Sequence, residues 1–324
     1  MWQGGRVRGE GTQVPVTVVL VHWNQPVHCV RTIGAFISQP VPVEVVVVDN
    51  GSDARLLRCL EDQIGAEGWS VRVLRQGYNS GFGPAANAGF RWWLDHGQSE
   101  WVALAPHDAL PAPDTLGLLL RAASSRRRAG LACADVGDGE TPVVDPYFGG
   151  MTKPAECIQG WEPADYPHGT LMVARRECIE EIGLFDERYF AYCEEADLGL
   201  RAKAAGWEVG LVRGAMVRNP TMRSGSPAVD YLMHRNTLML VREHSGNYHA
   251  FVRFNIAGWQ LLRGLVQPNN RAWLFSASGR ALGMIDFLRG RHGPPPAVLF
   301  GSAPPPDMEL PAEEAVQPSL HAPA

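Results

Sequence analysis

Paired cysteines, long apolar runs and a surplus of basic residues are all scarce or missing in this sequence of 324 residues. Its six cysteines lie far apart and form neither a CxxC pair nor a finger-like spacing with histidine, which argues against a disulfide framework or a structural zinc site. No stretch approaches the about 18 uncharged apolar residues of a membrane-spanning helix, and residues 1–13 lack the apolar centre of a signal peptide. The net charge of −5 disfavours nucleic acid as a partner, because proteins that bind phosphate backbones usually carry a basic surplus. We therefore expect a cytoplasmic protein with reduced thiols.

Apolar runs and helical patterns alternate along the N-terminal half of the chain. Four runs predict strands: VPVTVVLVHWN, VEVVVVDNGSD, WSVRVLRQ and EWVALAPHDALPAPD. The first is an almost continuous β-branched run, typical of a strand buried on both faces of a parallel sheet, and the second predicts another buried strand. The segments between them have apolar residues at helical spacing. This alternation predicts an α/β fold with a Rossmann-like, doubly wound and mostly parallel sheet.

The composition changes several times and suggests four parts. Residues 1–13 are rich in glycine and predict a flexible arm, and residues 14–230 form the predicted main domain, with later strands expected in VVDPYFGG, GTLMVAR and EVGLVRGAMVRN. Residues 231–292 are mostly helix-forming. Residues 293–324 are dominated by Pro, Ala and Glu and predict a disordered tail, since such a segment cannot bury enough apolar area to fold.

Polar residues follow each of the four early strands. They are Asn24 after the first, Asp49, Asn50 and Ser52 after the second, Asn79 with Gly81 and Gly83 after the third, and His107 with Asp108 after the fourth. Ligands of parallel α/β sheets gather beyond the carboxyl ends of the strands, so these residues predict a binding site at that edge.

The loop GYNSGFGPAANAG permits another interpretation. Gly81, Gly83 and Ala86 satisfy the dinucleotide fingerprint GxGxxG/A, with Asp108 about 20 residues further on. An NAD-dependent oxidoreductase is therefore an alternative. Pro84 argues against it, because proline removes a backbone N–H where a pyrophosphate would need donors.

Four segments together resemble the family 2 glycosyltransferases with a GT-A fold, especially their rhamnosyltransferase-like branch. The segments are VTVVLVHWN, VVVVDNGSD, NSGFGPAANAGF and FDERYFAYCEEADLGLRAKAAGW, and the similarity spans about residues 15–240. It implies an inverting enzyme that transfers a hexose or deoxyhexose, such as rhamnose, to a hydroxyl group. The implied donor is a dTDP-, UDP- or GDP-linked sugar, and the implied acceptor is a glycan, a lipid-linked molecule or a small natural product. A non-catalytic protein that binds nucleotide sugars is a further alternative.

The resemblance also implies roles for single residues. Asp49 would bind the nucleotide base, and the other residues of the nucleotide-sugar site would be Asn24, Asn50, Ser52, Asn79, Gly81, Phe82, Asn87, Asp108, Glu194 and Arg235.

The metal-binding DxD element of the family falls on Pro106, His107 and Asp108, so that one acidic residue remains. A divalent cation, Mg²⁺ or Mn²⁺, would be held by Asp108, with His107 as a candidate second ligand although imidazole suits these ions poorly. Metal dependence is thus open, and Arg218, Arg223 or Arg235 are alternative sources of positive charge for a leaving diphosphate.

The acidic segment EEAD falls on the family's EDxDL motif. The resemblance makes Glu195 the general base that accepts the proton of the acceptor hydroxyl. Asp197 precedes Arg201 by four residues, which predicts an ion pair on a helix. Acidic residues in a first helical turn are also favoured by the helix dipole, and this structural interpretation stays open beside the catalytic one.

The C-terminal region combines apolar residues with many arginines, namely Arg242, Arg253, Arg263, Arg271, Arg280, Arg289 and Arg291. Such a segment can rest on an anionic bilayer, which would make the protein peripheral to the inner face of the plasma membrane. A packed helical bundle with a solvated basic face is the alternative.

Overall fold

The computed structural model describes residues 14–220, 226–271 and 274–299. The first elements are β1 (Val16–His22), α1 (Pro26–Ile37), β2 (Val43–Asp49), α2 (Ala54–Ala66), β3 (Val71–Arg75), α3 (Phe82–His96), β4 (Trp101–Pro106), β5 (Leu110–Pro111) and α4 (Thr115–Ser124). They are followed by β6 (Ala129–Asp135), β7 (Glu140–Asp145), β8 (Gly149–Pro154), β9 (Gly160–Pro163), β10 (Met172–Arg175), α5 (Arg176–Ile182), α6 (Glu194–Ala204), β11 (Glu208–Arg218), α7 (Pro227–Ser245), α8 (Asn247–Val266) and α9 (Ala277–Leu288).

The central sheet has the strand order β3-β2-β1-β4-β10-β6-β11-β5, and β9 pairs with β11. Strands β1, β2, β3 and β4 are parallel to one another, and β6 is parallel to β11, whereas β10 is antiparallel to both β4 and β6. Six long strands therefore end at the same edge. The prediction of a doubly wound, mostly parallel α/β sheet is confirmed.

The sheet lies between two apolar layers, as the continuous apolar runs predict. All seven residues of β1 are buried, with Val18 and Leu20 packing toward one layer and Val19 and Val21 toward the other. Alternate residues of a strand point to opposite faces, so a strand in this position must be apolar at nearly every residue.

Strand β6 was not predicted, and its small residues explain why. Its sequence, AGLACAD, has no β-branched residue. The missing side chain of Gly130 is needed here, because a Cβ at this position would lie 2.6 Å from the Cys178 sulfur and 2.9 Å from the Cβ of Trp207. Close packing of neighbouring elements thus selects residues of low strand propensity.

The predicted C-terminal helices are present as α7, α8 and α9. Helix α7 begins at Pro227. The predicted boundary between the main domain and the C-terminal helical region, at residue 230, therefore falls inside this helix. None of the helices in the described ranges has the length and apolarity that would be needed to cross a bilayer.

Residues 293–299, the first part of the predicted tail, lie within the described residues. Residues 297–299 form a 3-10 turn, and Leu299 is buried against Phe190, Ala228 and Leu232. Pro295 is also buried, and the Gly293 carbonyl accepts from Arg235, so local contacts hold a segment whose average composition predicts disorder. The predicted arm at residues 1–13 and the tail from residue 300 onwards lie outside the described residues.

Candidate active site

The carboxyl ends of β1 and β2 present an aspartate and a histidine side by side. His22 and Asp49 are partners in the strand register, and the His22 Nδ1 atom lies 3.0 Å from the Asp49 Oδ1 atom. The backbone N–H of Ser52 donates to Asp49 Oδ2 at 3.3 Å. Burial alone would raise the pKa of Asp49, but the hydrogen bonds from His22 and Ser52 outweigh it and hold this pKa below its ordinary value. A fixed carboxylate therefore faces this edge of the sheet.

Asn50 joins the end of β2 to the loop that precedes α3. Its amide nitrogen donates to Asn79 Oδ1 at 3.0 Å and to the Gly81 carbonyl at 3.1 Å, while its amide oxygen accepts from the backbone and the hydroxyl of Ser80. The predicted residues of the second and third strand ends thus form one connected cluster.

Asn24 belongs to the same edge. It has a positive φ of 57°, its backbone N–H donates to the Ser52 hydroxyl at 2.9 Å, and its side-chain oxygen accepts from the Asp53 N–H at 2.7 Å. The first strand end is therefore hydrogen-bonded to the second.

Gly81 brings this cluster against the acidic segment. Its φ is +101°, and a Cβ here would lie 2.2 Å from the Phe190 carbonyl oxygen. Only glycine combines this backbone conformation with such a close approach. The loop before α3 and the loop before α6 consequently touch through their backbones.

The loop that precedes α6 is strained and is held from the C-terminal region. Phe190, Tyr192 and Cys193 all have positive φ, a conformation that costs about 1–3 kcal/mol for each non-glycine residue. The Asn236 amide donates to the carbonyls of Tyr189, Ala191 and Tyr192 at 2.9, 2.8 and 2.8 Å. Side chains of α7 thus stabilise the conformation that delivers the acidic residues.

Glu194 and Glu195 open α6 in two different environments. Glu194 is 2% exposed, and its side chain packs beside Gly83 in the first turn of α3. Within the described residues its Oε2 atom has no hydrogen-bond partner. Burial, and then the charge of Glu195, raise the pKa of Glu194 well above its ordinary value.

Glu195 is half-buried, and its Oε1 atom lies against Gly169 in the turn before β10. Burial raises the pKa of Glu195 to about 7. A carboxyl group with this pKa is half ionised near neutral pH, which suits a group that accepts a proton during a reaction.

Asp197 has the structural role that its spacing predicted. Its Oδ2 atom accepts from Arg201 Nε at 2.8 Å, and its Oδ1 atom lies 2.8 Å from His244 Nε2. Arg201 also donates to the carbonyls of Ile182 and Leu184. The predicted ion pair is present and connects α6 to the segment before it.

The pKa of Glu194 leads to a stability prediction. When burial raises the pKa of a carboxyl in the folded state above that in the unfolded state, the folded protein is most stable at a pH below the unfolded-state pKa, where the group is protonated in both states. Stability then decreases as the pH rises through the folded-state pKa, because the buried group has to ionise. We therefore expect the unfolding free energy of Glu194→Gln, relative to that of the wild type, to be higher at pH 8 than at pH 4.5. Urea unfolding of both proteins across this range measures the effect.

Glu177→Gln is the matched control, because Glu177 lies exposed in the first turn of α5. Its effect should not depend on pH in this way. A stability difference for Glu194→Gln that stays constant between pH 4.5 and 8 would contradict the assignment of a raised pKa.

His107 and Asp108 follow β4 and are less accessible than a loop position suggests. The His107 ring packs edge-on against His22 with 5.8 Å between the ring centroids, and burial, followed by the charge of His22, lowers the pKa of His107 to about 3. Asp108 is buried, and its Oδ1 atom accepts from the Asn219 amide at 3.0 Å. Burial raises the pKa of Asp108.

These residues do not make up a protein-built metal site. Among the described residues, no group of three His, Cys, Asp or Glu side chains is arranged to hold a metal ion. One oxygen of the single carboxylate already accepts from Asn219. Hard cations such as Mg²⁺ prefer several oxygen ligands, so the predicted metal finds a poor protein donor set here.

Three other predicted site residues serve the scaffold. Phe82 is half-buried and packs into the apolar layer beneath α3. The Asn87 amide is paired with the backbone of Phe185, donating to its carbonyl and accepting from its N–H, both at 2.9 Å. Arg235 is buried and donates to the Tyr189 and Gly293 carbonyls. The hydrogen bonds of Asn87 and Arg235 therefore stabilise the segment that precedes Glu194.

The other candidate arginines differ in position. Arg218 is exposed at the end of β11, one residue before Asn219. Arg223 lies outside the described residues.

Comparison with known proteins supports the family resemblance. The sequence model described as "Glycosyl transferase family 2" matches residues 17–183. The chain is 29% identical over 314 residues to the N-acetylglucosaminyl-diphospho-decaprenol L-rhamnosyltransferase of Mycobacterium tuberculosis, covering 85% of this chain and 98% of the relative. It is 28% identical over 248 residues to a low-salt glycan biosynthesis hexosyltransferase of Haloferax volcanii, covering 69% of this chain and 77% of the relative.

Solved structures show the same fold. A mannosyltransferase from Pyrobaculum calidifontis in complex with GDP-mannose and Mn²⁺ superposes with a TM-score of 0.57 at 15% identity, covering 86% of this chain and 88% of that one. GalNAc-T7 with UDP, GalNAc and Mn²⁺ gives a TM-score of 0.57 at 15% identity, covering 86% of this chain and 57% of that one. None of these comparisons supports the oxidoreductase alternative.

The family match covers more than half of the chain, including the polar ends of β1, β2, β3 and β4, and the relatives extend it through α6. The chain therefore belongs to the family 2 glycosyltransferases, enzymes that transfer a sugar from a nucleotide sugar.

Proposed function

We propose that this enzyme moves a hexose or deoxyhexose, such as rhamnose, from a nucleoside diphosphate to a hydroxyl of a lipid-linked glycan acceptor, with inversion at the anomeric carbon. The name of the mycobacterial relative supports rhamnose and a diphospholipid acceptor, since the two chains align over 85% of this one. The observation that carries the proposal is the half-buried Glu195 in the first turn of α6, directly after a loop whose backbone touches Gly81 of the polar edge.

Glu195 is the proposed general base. A sugar hydroxyl is a poor nucleophile, and a carboxylate within hydrogen-bond reach accelerates its attack by taking the proton. The acceptor oxygen forms a bond to the anomeric carbon as the bond between that carbon and the diphosphate breaks, and the bonding electrons leave with the diphosphate. The proton ends on the Glu195 carboxylate. Attack on the face opposite the leaving group inverts the anomeric centre.

Asp49 is the proposed contact for the nucleotide base, with Asn24, Asn50, Ser52 and Asn79 around it. Its lowered pKa keeps it ionised at neutral pH, so it can accept from an N–H group of the base. Losing a hydrogen bond to a charged group costs about 1.5–3 kcal/mol. We expect Asp49→Asn to weaken donor binding by about 10- to 100-fold, measured by calorimetric titration with the donor.

Asp62→Asn, an exposed aspartate of α2, is the control and should bind the donor like the wild type. Unchanged donor affinity of a folded Asp49→Asn protein would remove Asp49 from the nucleotide site.

Support for a divalent cation at Asp108 is weaker. The segment Pro106, His107 and Asp108 contains one carboxylate. Mg²⁺ or Mn²⁺ would therefore have to take most of its ligands from the donor diphosphate. Arg218 is an alternative source of positive charge, since it precedes the residue that hydrogen-bonds Asp108.

The lipid-linked acceptor is proposed together with peripheral membrane contact. Helix α8 carries an exposed apolar stripe at helical spacing, in which Phe251 is 68%, Trp259 59% and Val266 78% exposed. Tyr248 and Leu262 extend it. Exposed aromatic and aliphatic residues beside arginines are typical of helices that lie in a membrane interface.

A donor panel tests the proposed function. Thermal unfolding is recorded with dTDP-rhamnose, UDP-sugars and GDP-sugars, each with and without Mn²⁺, and the donor that stabilises most is then assayed for transfer to a polyprenyl-diphosphate glycan. Stabilisation by one donor class and product formation are expected. Donor binding without transfer or hydrolysis would favour a non-catalytic binder, and failure of every donor to bind would contradict the proposal.

A further inference from the structure

A second cavity lies in the C-terminal region, apart from the proposed donor site. Its volume is about 300 Å³, and it lies among side chains of α7, α8, α9 and the segment between the last two helices. Its charged and aromatic walls are Arg253, Arg263, Arg271, Arg280, Trp259 and Phe275. Four arginines around one cavity indicate an anion.

The positive charge of this pocket is not balanced by the described residues. Arg280 donates to Asp230 Oδ2 at 2.9 Å, and Asp230 also faces His234. Among the described residues, Arg253, Arg263 and Arg271 have no carboxylate within ion-pair distance. Of these three arginines, Arg263 and Arg271 are exposed and only Arg253 is buried, so an anion in the pocket would gain most from Arg253, where water screens the charge least.

Arg253 is the most informative of the four. It is only 8% exposed, yet its Nε atom has no hydrogen-bond acceptor within the described part of the chain. Its Nη1 atom has a single long contact, 3.5 Å, to Gln260 Oε1. Burial, and then the charge of Arg280, lower the pKa of Arg253. Buried charges in proteins are normally paired, so an unpaired one lining a cavity points to a ligand.

Aromatic rings face all four guanidinium groups, and that of Arg253 lies 5.9 Å from the centroid of the Phe148 ring. Arg263 lies over the Trp259 ring at 5.3 Å from its centroid, and Arg271 and Arg280 lie at 5.0 and 4.6 Å from that of Phe275. Stacked guanidinium groups keep their N–H donors in a fixed plane, which suits the oxygens of a phosphate.

An apolar groove adjoins the pocket and shares Trp259 and Gln260 with it. Its volume is about 590 Å³, and its other walls include Phe148, Phe251 and Ile256. The exposed stripe of α8 continues past this groove along a helix of 20 residues, or about 30 Å. A stripe of this length fits the surface of a bilayer better than it fits one hydrocarbon chain.

We propose that the arginine pocket binds the phosphate of an anionic phospholipid, while the groove and the stripe of α8 contact the hydrocarbon of the same membrane. This inference rests on the proposed membrane contact and adds a specific headgroup site to it. Phosphate chemistry explains the buried, unpaired Arg253, which contact with hydrocarbon alone does not explain.

Flotation of the full-length protein with vesicles tests the site. The wild type is expected to float with vesicles that contain phosphatidylglycerol and to stay below neutral phosphatidylcholine vesicles. Arg253→Gln should raise the lipid concentration for half-maximal flotation by at least roughly tenfold, because it removes charge-assisted hydrogen bonds. Arg263→Gln, an exposed position of the same pocket, decides the question if Arg253→Gln fails to fold.

Arg289→Gln is the matched control, since Arg289 is exposed after α9 and does not line the pocket. A general surface charge contributes about fivefold or less. Equal losses for the pocket and control variants, or binding to neutral vesicles as strong as to anionic ones, would overturn the proposal.

One further measurement distinguishes free phosphate from a lipid phosphate as the ligand of the pocket, and a second distinguishes failure of the lipid site from failure of the proposed function. A thermal shift with inorganic phosphate, without any flotation on anionic vesicles, would identify free phosphate as the ligand and overturn the lipid site. Nucleotide-sugar binding, measured on the same wild-type preparation, reports the proposed function independently. Flotation without nucleotide binding would contradict only the proposed function, and nucleotide binding without flotation would contradict only the lipid site.

Discussion

Glu195→Gln is expected to lower kcat for sugar transfer by about 10²- to 10⁴-fold, the usual contribution of a general base. Glutamine keeps the size of the side chain but cannot accept the acceptor's proton. The proposed donor site at Asp49 and Asn50 is untouched by this change, so donor affinity should stay within a factor of about 2. Initial rates at saturating acceptor, together with calorimetric donor titration, measure both quantities.

Two companion variants distinguish the loss of a base from a general effect of removing a negative charge. Glu195→Asp restores the residue that the family has at this position and should recover part of the activity, although its carboxylate is one methylene shorter. Glu177→Gln removes an exposed acid from the first turn of another helix and should leave kcat unchanged. Unimpaired turnover of a folded Glu195→Gln protein would leave only the helix-dipole interpretation of this acid.

Gly169→Ala is expected to lower kcat by about 10- to 100-fold without changing any ionisable group. A Cβ on Gly169 would lie 2.0 Å from the Glu195 Oε1 atom, so the carboxylate has to move. The displaced atom is the end of a flexible side chain, and for this reason we expect the fold to tolerate the change at a cost of about 1 kcal/mol or less. Transfer kinetics and urea unfolding of the same protein separate the two effects.

Gly65→Ala is the control for Gly169→Ala. No atom lies within 4 Å of a Cβ at Gly65, and the residue belongs to α2, where alanine stabilises a helix by about 0.5–1 kcal/mol relative to glycine. Its kcat should match the wild type. A wild-type rate for Gly169→Ala would mean that the position of Glu195 is not critical for catalysis.

The placement of the polar residues at one edge of the sheet could be predicted from the sequence, because local patterns determine it. The continuous apolar runs of β1 and β2 define buried parallel strands, and parallel strands place Asn24 and Asp49 at one edge. The spacing of Asp197 and Arg201 is also a local pattern, and the ion pair is present. His22 was missed although it ends β1 in register with Asp49, so the position of a polar residue at a strand end was an available signal.

Contacts between distant segments could not be predicted in the same way. Gly169 precedes Glu195 by many residues and has no local signature of its role. Asn236 holds the loop of Tyr192 through main-chain carbonyls, which can belong to any residue type and therefore leave no trace in the sequence. Arg235 illustrates the difference, since the resemblance suggested a ligand contact and the geometry shows a support for the loop.

The small residues of β6 and the buried Leu299 show a second limit. Propensity and average composition describe what a segment prefers in isolation, whereas packing against Cys178 or Phe190 decides what it does in the fold. The same limit applies to the C-terminal arginines, because composition does not reveal which of them are buried. Arg253 is distinguished from Arg289 only by the structure.

The pH dependence of kcat/KM tests the central claim most directly, because it reports ionisation in the free enzyme. If Glu195 is the base, wild-type activity should fall as the pH decreases through about 7, the pKa to which burial raises this carboxyl. The residual activity of Glu195→Gln should lack this acid limb. A wild-type profile that is flat from pH 5 to 8, or the same acid limb in Glu195→Gln, would contradict the account.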